Sequence, residues 1–260
     1  MLMKAIAITI LAAELTISIF GQSVNNKHIY REGIRNSSGK HRLDQKQLGL
    51  LIASLREKTG LLELGFDEVG YLTLGNRSRI AGGSATARTL LIASVDSNQA
   101  IELENHYSVP DVVFGCLAKD YIYESDLTGQ RLYVRSLKLD FFDFTRLEGI
   151  KETLASFDVG MVVLHELAHG IIGLKDNLTE PTGPGGCIQR INRIRRELGL
   201  PERDQYSAKV KRVRDAVFTR KIATIRFSLK TPRGNQIKTR FYYLKWDAQA
   251  VGERTSQVGH

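Results

Sequence analysis

His165-Glu166-Leu167-Ala168-His169 is the stretch of this chain whose residue types and spacing could do chemistry. Residues four apart lie on one face of a helix. His165 and His169 would therefore aim two imidazoles at one point, where a metal ion could sit. Glu166, adjacent to His165, would lie beside such an ion rather than on it. A carboxylate there can act as a base toward water. The chemistry this implies is metal-assisted hydrolysis. Zinc lowers the pKa of a water to about 7 and polarises a carbonyl, while Glu166 takes a proton and passes it to the leaving amine. These are two of only six histidines, and the apolar run Met161-Val162-Val163-Leu164 precedes them, as a half-buried helix requires. Two ordinary histidines on a core helix would show the same five residues.

A catalytic zinc takes three protein ligands and keeps one position for water. Gly173 can end the helix in a left-handed turn, and Asp176 could then swing back toward the ion. Glu197, on the next helix, is the alternative third ligand; Arg193, one turn before it, is a competing ion-pair partner. Glu180 and Asp204 are further options. Cys187, in the turn Pro184-Gly185-Gly186-Cys187, offers a thiolate, which also binds zinc. It is one of two cysteines with Cys116, and a disulfide between them and two buried thiols are both open.

The run from His165 through Gly173 to Asp176 resembles the extended motif of the metzincin peptidases, in which a glycine turn precedes a third histidine or aspartate. Here one extra residue separates His169 from the glycine. Glutamate-type zincins take their third carboxylate from the following helix, where Glu197 lies. The segment from His165 to Asp176, then a Pro/Gly loop, then Asn192 to Tyr206, is similar to bacterial type III effector zinc peptidases and toxin-like metallopeptidase domains over about 40 residues. The resemblance implies a zincin fold, a zinc cofactor and peptide hydrolysis. It also brings Arg203 and Tyr206 toward the oxyanion as donors; simple loop packing is the competing role for both.

The elements that must position these residues follow from periodicity. Leu48, Leu51 and Leu55 share a helical face within 43–59, stopped by Gly60. The stretch 61–74 alternates about Asp67-Glu68-Val69-Gly70 as a hairpin, and Ser84 can cap a helix over 85–94. Strands are expected at 100–107, 111–114, 121–123 and 130–144. Asp158 can cap a helix over 159–174. The segment 178–186 is a Pro/Gly loop, and Ile188, Ile191, Ile194 and Leu198 form a helical stripe. The alternating runs on either side of Pro232-Arg233-Gly234-Asn235 predict a C-terminal hairpin. The expected fold is α+β and zincin-like: a mixed or antiparallel sheet packed on the helix of His165, Glu166 and His169, with a C-terminal β-hairpin. The stretch 130–144 would be the edge strand to which an extended peptide substrate could add.

Composition sets the wider frame. The chain has 260 residues, 42% of them hydrophobic and 25% charged, which suits a globular domain and not a disordered one. A short basic start, an apolar run to Phe20 and the small residues Gly21-Gln22-Ser23 form the pattern of a signal peptide over 1–22, though Glu14 interrupts it. The expected organisation is that signal, a flexible leader over 23–42, a metallopeptidase domain over 43–247 and a flexible tail over 248–260. The expected location is secreted or periplasmic, with no stretch in the mature chain long and apolar enough to span a bilayer. The net charge of +9 suits an acidic partner such as an envelope polymer. No specific nucleic-acid binding is expected, and the basic cluster from Lys209 to Lys221 reads as a solvated face. Two other functions fit the same residues: a non-catalytic or toxin-related module that keeps a structural metal, and a zinc amidase acting on cell-wall polymer.

Overall fold

The structure is a computed structural model that describes residues 31–107, 113–124, 131–176, 185–204, 206–214, 219–234 and 236–251. In chain order its elements are β1 (Gly33–Asn36), α1 (Gln45–Thr59), β2 (Gly65–Phe66), β3 (Leu72–Thr73), α2 (Ala85–Val95), β4 (Ala100–Asn105), β5 (Gly115–Glu124), β6 (Arg131–Leu139), α3 (Phe141–Phe144), α4 (Lys151–Ala155), α5 (Val159–Ile172), α6 (Gly186–Glu197), β7 (Glu202–Arg203), β8 (Lys209–Arg214), β9 (Thr219–Arg233) and β10 (Gln236–Asp247). The fold is α+β, with one mixed and one antiparallel main sheet. The mixed sheet has the order β1-β4-β6-β5. β1, β4 and β6 run parallel, and β5 runs antiparallel to β6. The second sheet is built on the β9–β10 hairpin, with β7 and β8 both pairing β9. β2 and β3 form a separate small hairpin.

α5 is the central helix. Asp158 caps it by accepting from Met161 N, and the same carboxylate pairs at 2.9 Å with Lys58, a lysine with no exposed surface at the end of α1. One side chain thus both starts α5 and fastens it to α1. Val159, Met161, Val162, Val163, Leu164, Leu167 and Ala168 are all buried, as expected for a helix covered on most sides. Two glycines permit its close contacts. A Cβ on Gly160 would lie 2.2 Å from Ser54 Oγ of α1, and one on Gly170 would lie 2.7 Å from Leu117 of β5. The run Lys151–Ile172 has the length and apolarity of a membrane span by composition. It is two helices, α4 and α5, and its apolar surface faces the core.

Several expectations need correction. Residues 33–36, placed in a flexible leader, form β1, which pairs with β4 and buries Ile34. No strand forms at 113–114. Phe114 takes a positive φ of 64°, its N–H donates to Asp143, and the strand begins at Gly115. β6 stops at Leu139 because Asp140 turns to cap α3, accepting from Phe142 N and Asp143 N. β6 is also an interior strand; the edge is β5. The presumed tail begins in contact with the domain: Ala248 N donates to Lys221 O, and Val251 is buried. The signal over 1–22, the leader over 23–30, the loop over 177–184 and residues 252–260 lie outside the described residues.

Candidate metal centre

α5 places His165 and His169 one turn apart with Glu166 beside His165, and its ending brings the next donor to them. Gly173 adopts the left-handed conformation and its N–H donates to Ala168 O. This conformation costs glycine little and other residues more. The reversed chain then carries Leu174 and Asp176 back over the helix. His169 Nδ1 donates to Leu174 O at 2.6 Å, which fixes its tautomer and leaves Nε2 to face the cluster. There His169 Nε2 lies 3.1 Å from His165 Nε2 and 2.9 Å from Asp176 Oδ2. His165 Nε2 is 3.3 Å from that same oxygen.

Cys187 approaches from the first turn of α6, not from a loop. Its Sγ lies 3.3 Å from His165 Nδ1 and donates to His165 O at 3.3 Å. Its backbone N–H donates to Lys175 O, joining the strap after α5 to the start of α6. The donor atoms of His165, His169, Asp176 and Cys187 all lie within 4.8 Å of one another, so the group could hold a metal ion. Cys116 and Cys187 are both free thiols, so the disulfide does not form.

The electrostatics of the group favour the charged form of each member. Burial would raise the Asp176 carboxyl, but hydrogen bonds with both histidines outweigh it and hold the group well below the ordinary carboxylate range. The contact with Asp176 is the main cause of a pKa of about 11 for His169. Burial opposes charge on His165, yet Asp176 and Cys187 raise it to about 9. Burial likewise opposes the Cys187 thiolate, and the two imidazoles reverse that effect. Asp176 Oδ1 is buried with no hydrogen-bond partner among the described residues, a free lone pair of the kind a cation satisfies.

Glu166 points away from this group toward the mixed sheet. Its Oε2 accepts from Leu117 N of β5 at 2.9 Å. Burial is the largest influence on its carboxyl and pushes it up, which moves a base toward the neutral range where it works best. A cavity of about 230 Å³ opens beside His165 and Glu166, walled by Gly115, Met161, Arg195, Arg203, Tyr206 and Trp246 among others.

Arg203 and Tyr206 line the same cavity. Tyr206 stacks on His165 with ring centroids 6.4 Å apart, and its hydroxyl is pushed up to about 12 by burial and then by the charge of Asp176. The Arg203 guanidinium sits 5.5 Å from the Phe157 ring and 5.5 Å from the Tyr206 ring, and donates to Tyr206 O. Asn192 of α6 fastens this segment by bonding both the N–H and the carbonyl of Arg203.

Two other carboxylates lie elsewhere. Glu197 is not near the histidines. It caps α2 instead, accepting from Ser84 Oγ, Thr86 N and Thr86 Oγ1, and pairs with Arg193 one turn earlier at 3.1 Å. Those donors outweigh its burial and bring it down to about 2. Asp204 accepts from Arg226 and Ser228 on β9. Glu180 lies outside the described residues. Sequence reasoning missed the Leu117 N–H, since a main-chain donor leaves no mark in residue type. It also gave no role to Arg195, which is buried with Ile188, Ile191 and Ile194 on α6. Compared with family models, with curated proteins and with solved structures, the chain has no match in any of the three.

Proposed function

We propose that this protein is a zinc-dependent peptidase of zincin type, with His165, His169 and Asp176 as the ligands and Glu166 as the base. The observation that carries the reading is the triangle His165 Nε2, His169 Nε2 and Asp176 Oδ2, with sides of 3.1, 2.9 and 3.3 Å. A tetrahedral ion with bonds of about 2.0–2.1 Å needs its donors roughly 3.3 Å apart, so the three atoms fit one face of a zinc site. Zinc in such a site supplies Lewis acidity, activating water and polarising a carbonyl at neutral pH. Glu166, raised by burial and anchored to Leu117 N, takes the proton from the attacking water and delivers it to the leaving amine. Tyr206 and Arg203, lining the same cavity, are placed to donate toward the charge that develops on the carbonyl oxygen. β5 is the edge strand beside Glu166, and an extended peptide added there would use main-chain hydrogen bonds for register.

Cys187 favours a second reading, in which its thiolate closes the site as a fourth ligand and the metal is structural. The geometry argues for the first. His165 turns Nε2 to the other donors and Nδ1 to the sulfur. An imidazole binds an ion through one nitrogen, so metal bonding through Nε2 leaves Nδ1 to the sulfur as an orienting partner, and the same sulfur also interacts with His169. The test is metal content of the purified chain and of Glu166→Gln, with casein as an unstructured substrate. One zinc in each, with cleavage by the wild type alone, is the expected result. Zinc in both without cleavage would favour the closed site, and no zinc in either would overturn the proposal.

A further inference from the structure

We propose that the cavity beside Glu166 is a carboxylate-binding subsite with Arg195 as its cation, so that the substrate presents an anionic group next to the bond that is cut. This rests on the peptidase reading for its place in catalysis, but the subsite itself is a binding property. Arg195 is 2% exposed. Its Nε donates to Ser156 O and its Nη1 to Asn192 Oδ1, each at 2.9 Å. Both acceptors are neutral. A guanidinium has five N–H donors, and among the described residues these two are the ones engaged. The remaining contact is apolar: the Phe227 ring, 5.5 Å from the guanidinium carbon.

A buried charge without a counter-ion is expensive, and this one has a second cation, Arg203, beside it at the same cavity. Burial, then Arg203, pushes Arg195 down to about 9. The acidic groups that influence it, Asp158, Cys187 and Glu202, are committed elsewhere, Cys187 to the two histidines. Asp158 caps α5 and pairs with Lys58, and Glu202 holds Arg196 through both oxygens. The missing negative charge is therefore one the cavity can receive. The cavity takes about one side chain. Phe114, Met161, Ile225 and Trp246 on its walls suit the methylene groups that lead to a carboxylate, and exclusion of water strengthens an Arg–carboxylate fork. Since His165 and Glu166 line the same cavity, the anion falls within a residue of the scissile bond. Its source is an acidic side chain or the free C-terminus of a short product end.

The experiment is a calorimetric titration of the zinc-loaded full-length chain with four probes. N-acetyl-glutamate amide carries only the side-chain carboxylate, N-acetyl-alanine only the terminal one, N-acetyl-glutamate both, and N-acetyl-glutamine amide neither. The expected result is binding of one or more of the acids at least tenfold tighter than the neutral amide, with that advantage lost in Arg195→Gln at unchanged zinc content. Whichever single-carboxylate probe binds identifies the source. Equal binding of acid and amide by the wild type would overturn the subsite without any variant, which covers the case that Arg195→Gln does not fold. An undiminished acid preference in folded Arg195→Gln would overturn it as well, placing the anion on the metal. The peptidase reading fails separately, by absent zinc or uncleaved casein.

Discussion

The donor group and the cavity beside it are adjacent and opposite in character. In the first, a carboxylate and a thiol crowd two imidazoles, and every group is shifted toward its charged form, the imidazoles toward the cation and the carboxyl and thiol toward the anion. In the second, two buried guanidinium groups face apolar walls, and burial shifts both toward loss of their charge. One side offers donors that could hold a cation, and the proposed subsite on the other offers guanidinium N–H groups to an anion. Glu166 stands between them, on α5 like the histidines but bonded to β5. The donor group balances its charges internally, whereas Arg195 hydrogen-bonds neutral acceptors, and a buried charge in that position costs stability unless a ligand corrects it.

The largest effect should come from the cation side. His169→Ala removes a donor whose other nitrogen is already fixed by Leu174, and stoichiometric zinc should fall below a tenth per chain in metal analysis. Zinc retained at wild-type level would show that the triangle is not the binding face. Glu166→Gln should keep zinc and lose about 10²–10⁴-fold in cleavage rate, the usual range for a positioned acid–base group; a change of under tenfold would remove Glu166 from the role of base. Cys187→Ala is the sharper probe of the boundary between the two readings. As the orienting partner of His165 it should cost about 10–100-fold in zinc affinity, measured by competition with a chelator, while cleavage by the loaded protein persists. Cleavage that appears only when the cysteine is removed would instead make the thiolate a ligand that closes the site.

The smallest effect lies away from both regions. Glu197 is depressed in the folded chain from its ordinary 4.5 to about 2. A depressed carboxylate adds stability above its unfolded pKa and loses that stability as pH falls through the folded value. Wild type should therefore lose stability between about pH 4.5 and pH 2 more steeply than Glu197→Gln, with no difference in zinc content. Parallel curves in thermal melts across that window would show that the α2 cap contributes nothing.

Periodicity and caps made much of this fold legible. Gly60, Ser84 and Asp158 bound the helices where their chemistry says they should, and the expected C-terminal hairpin forms from β9 and β10, with Pro232 and Arg233 paired inside it. The mixed sheet was harder because its order is set by non-local pairing. β1 is four residues of mixed polarity, buried through pairing with a strand more than sixty residues away, and no local pattern marks it. β6 reads as an edge strand because Tyr133 and Arg135 are compatible with solvent, yet β5 covers its outer side. At the site, helix spacing alone placed His165 and His169, and the glycine turn made Asp176 reachable. The choice between Asp176 and Glu197 could not come from spacing. Ser84 and Thr86 hold Glu197 at another helix end, which leaves Asp176 as the carboxylate beside the histidines.

The central claim is an open site of three light-atom protein donors. X-ray absorption at the zinc edge on the purified chain tests it most directly. The account expects a first shell of nitrogen and oxygen at about 2.0–2.1 Å and no sulfur. A sulfur shell at about 2.3 Å would put Cys187 on the metal and contradict it.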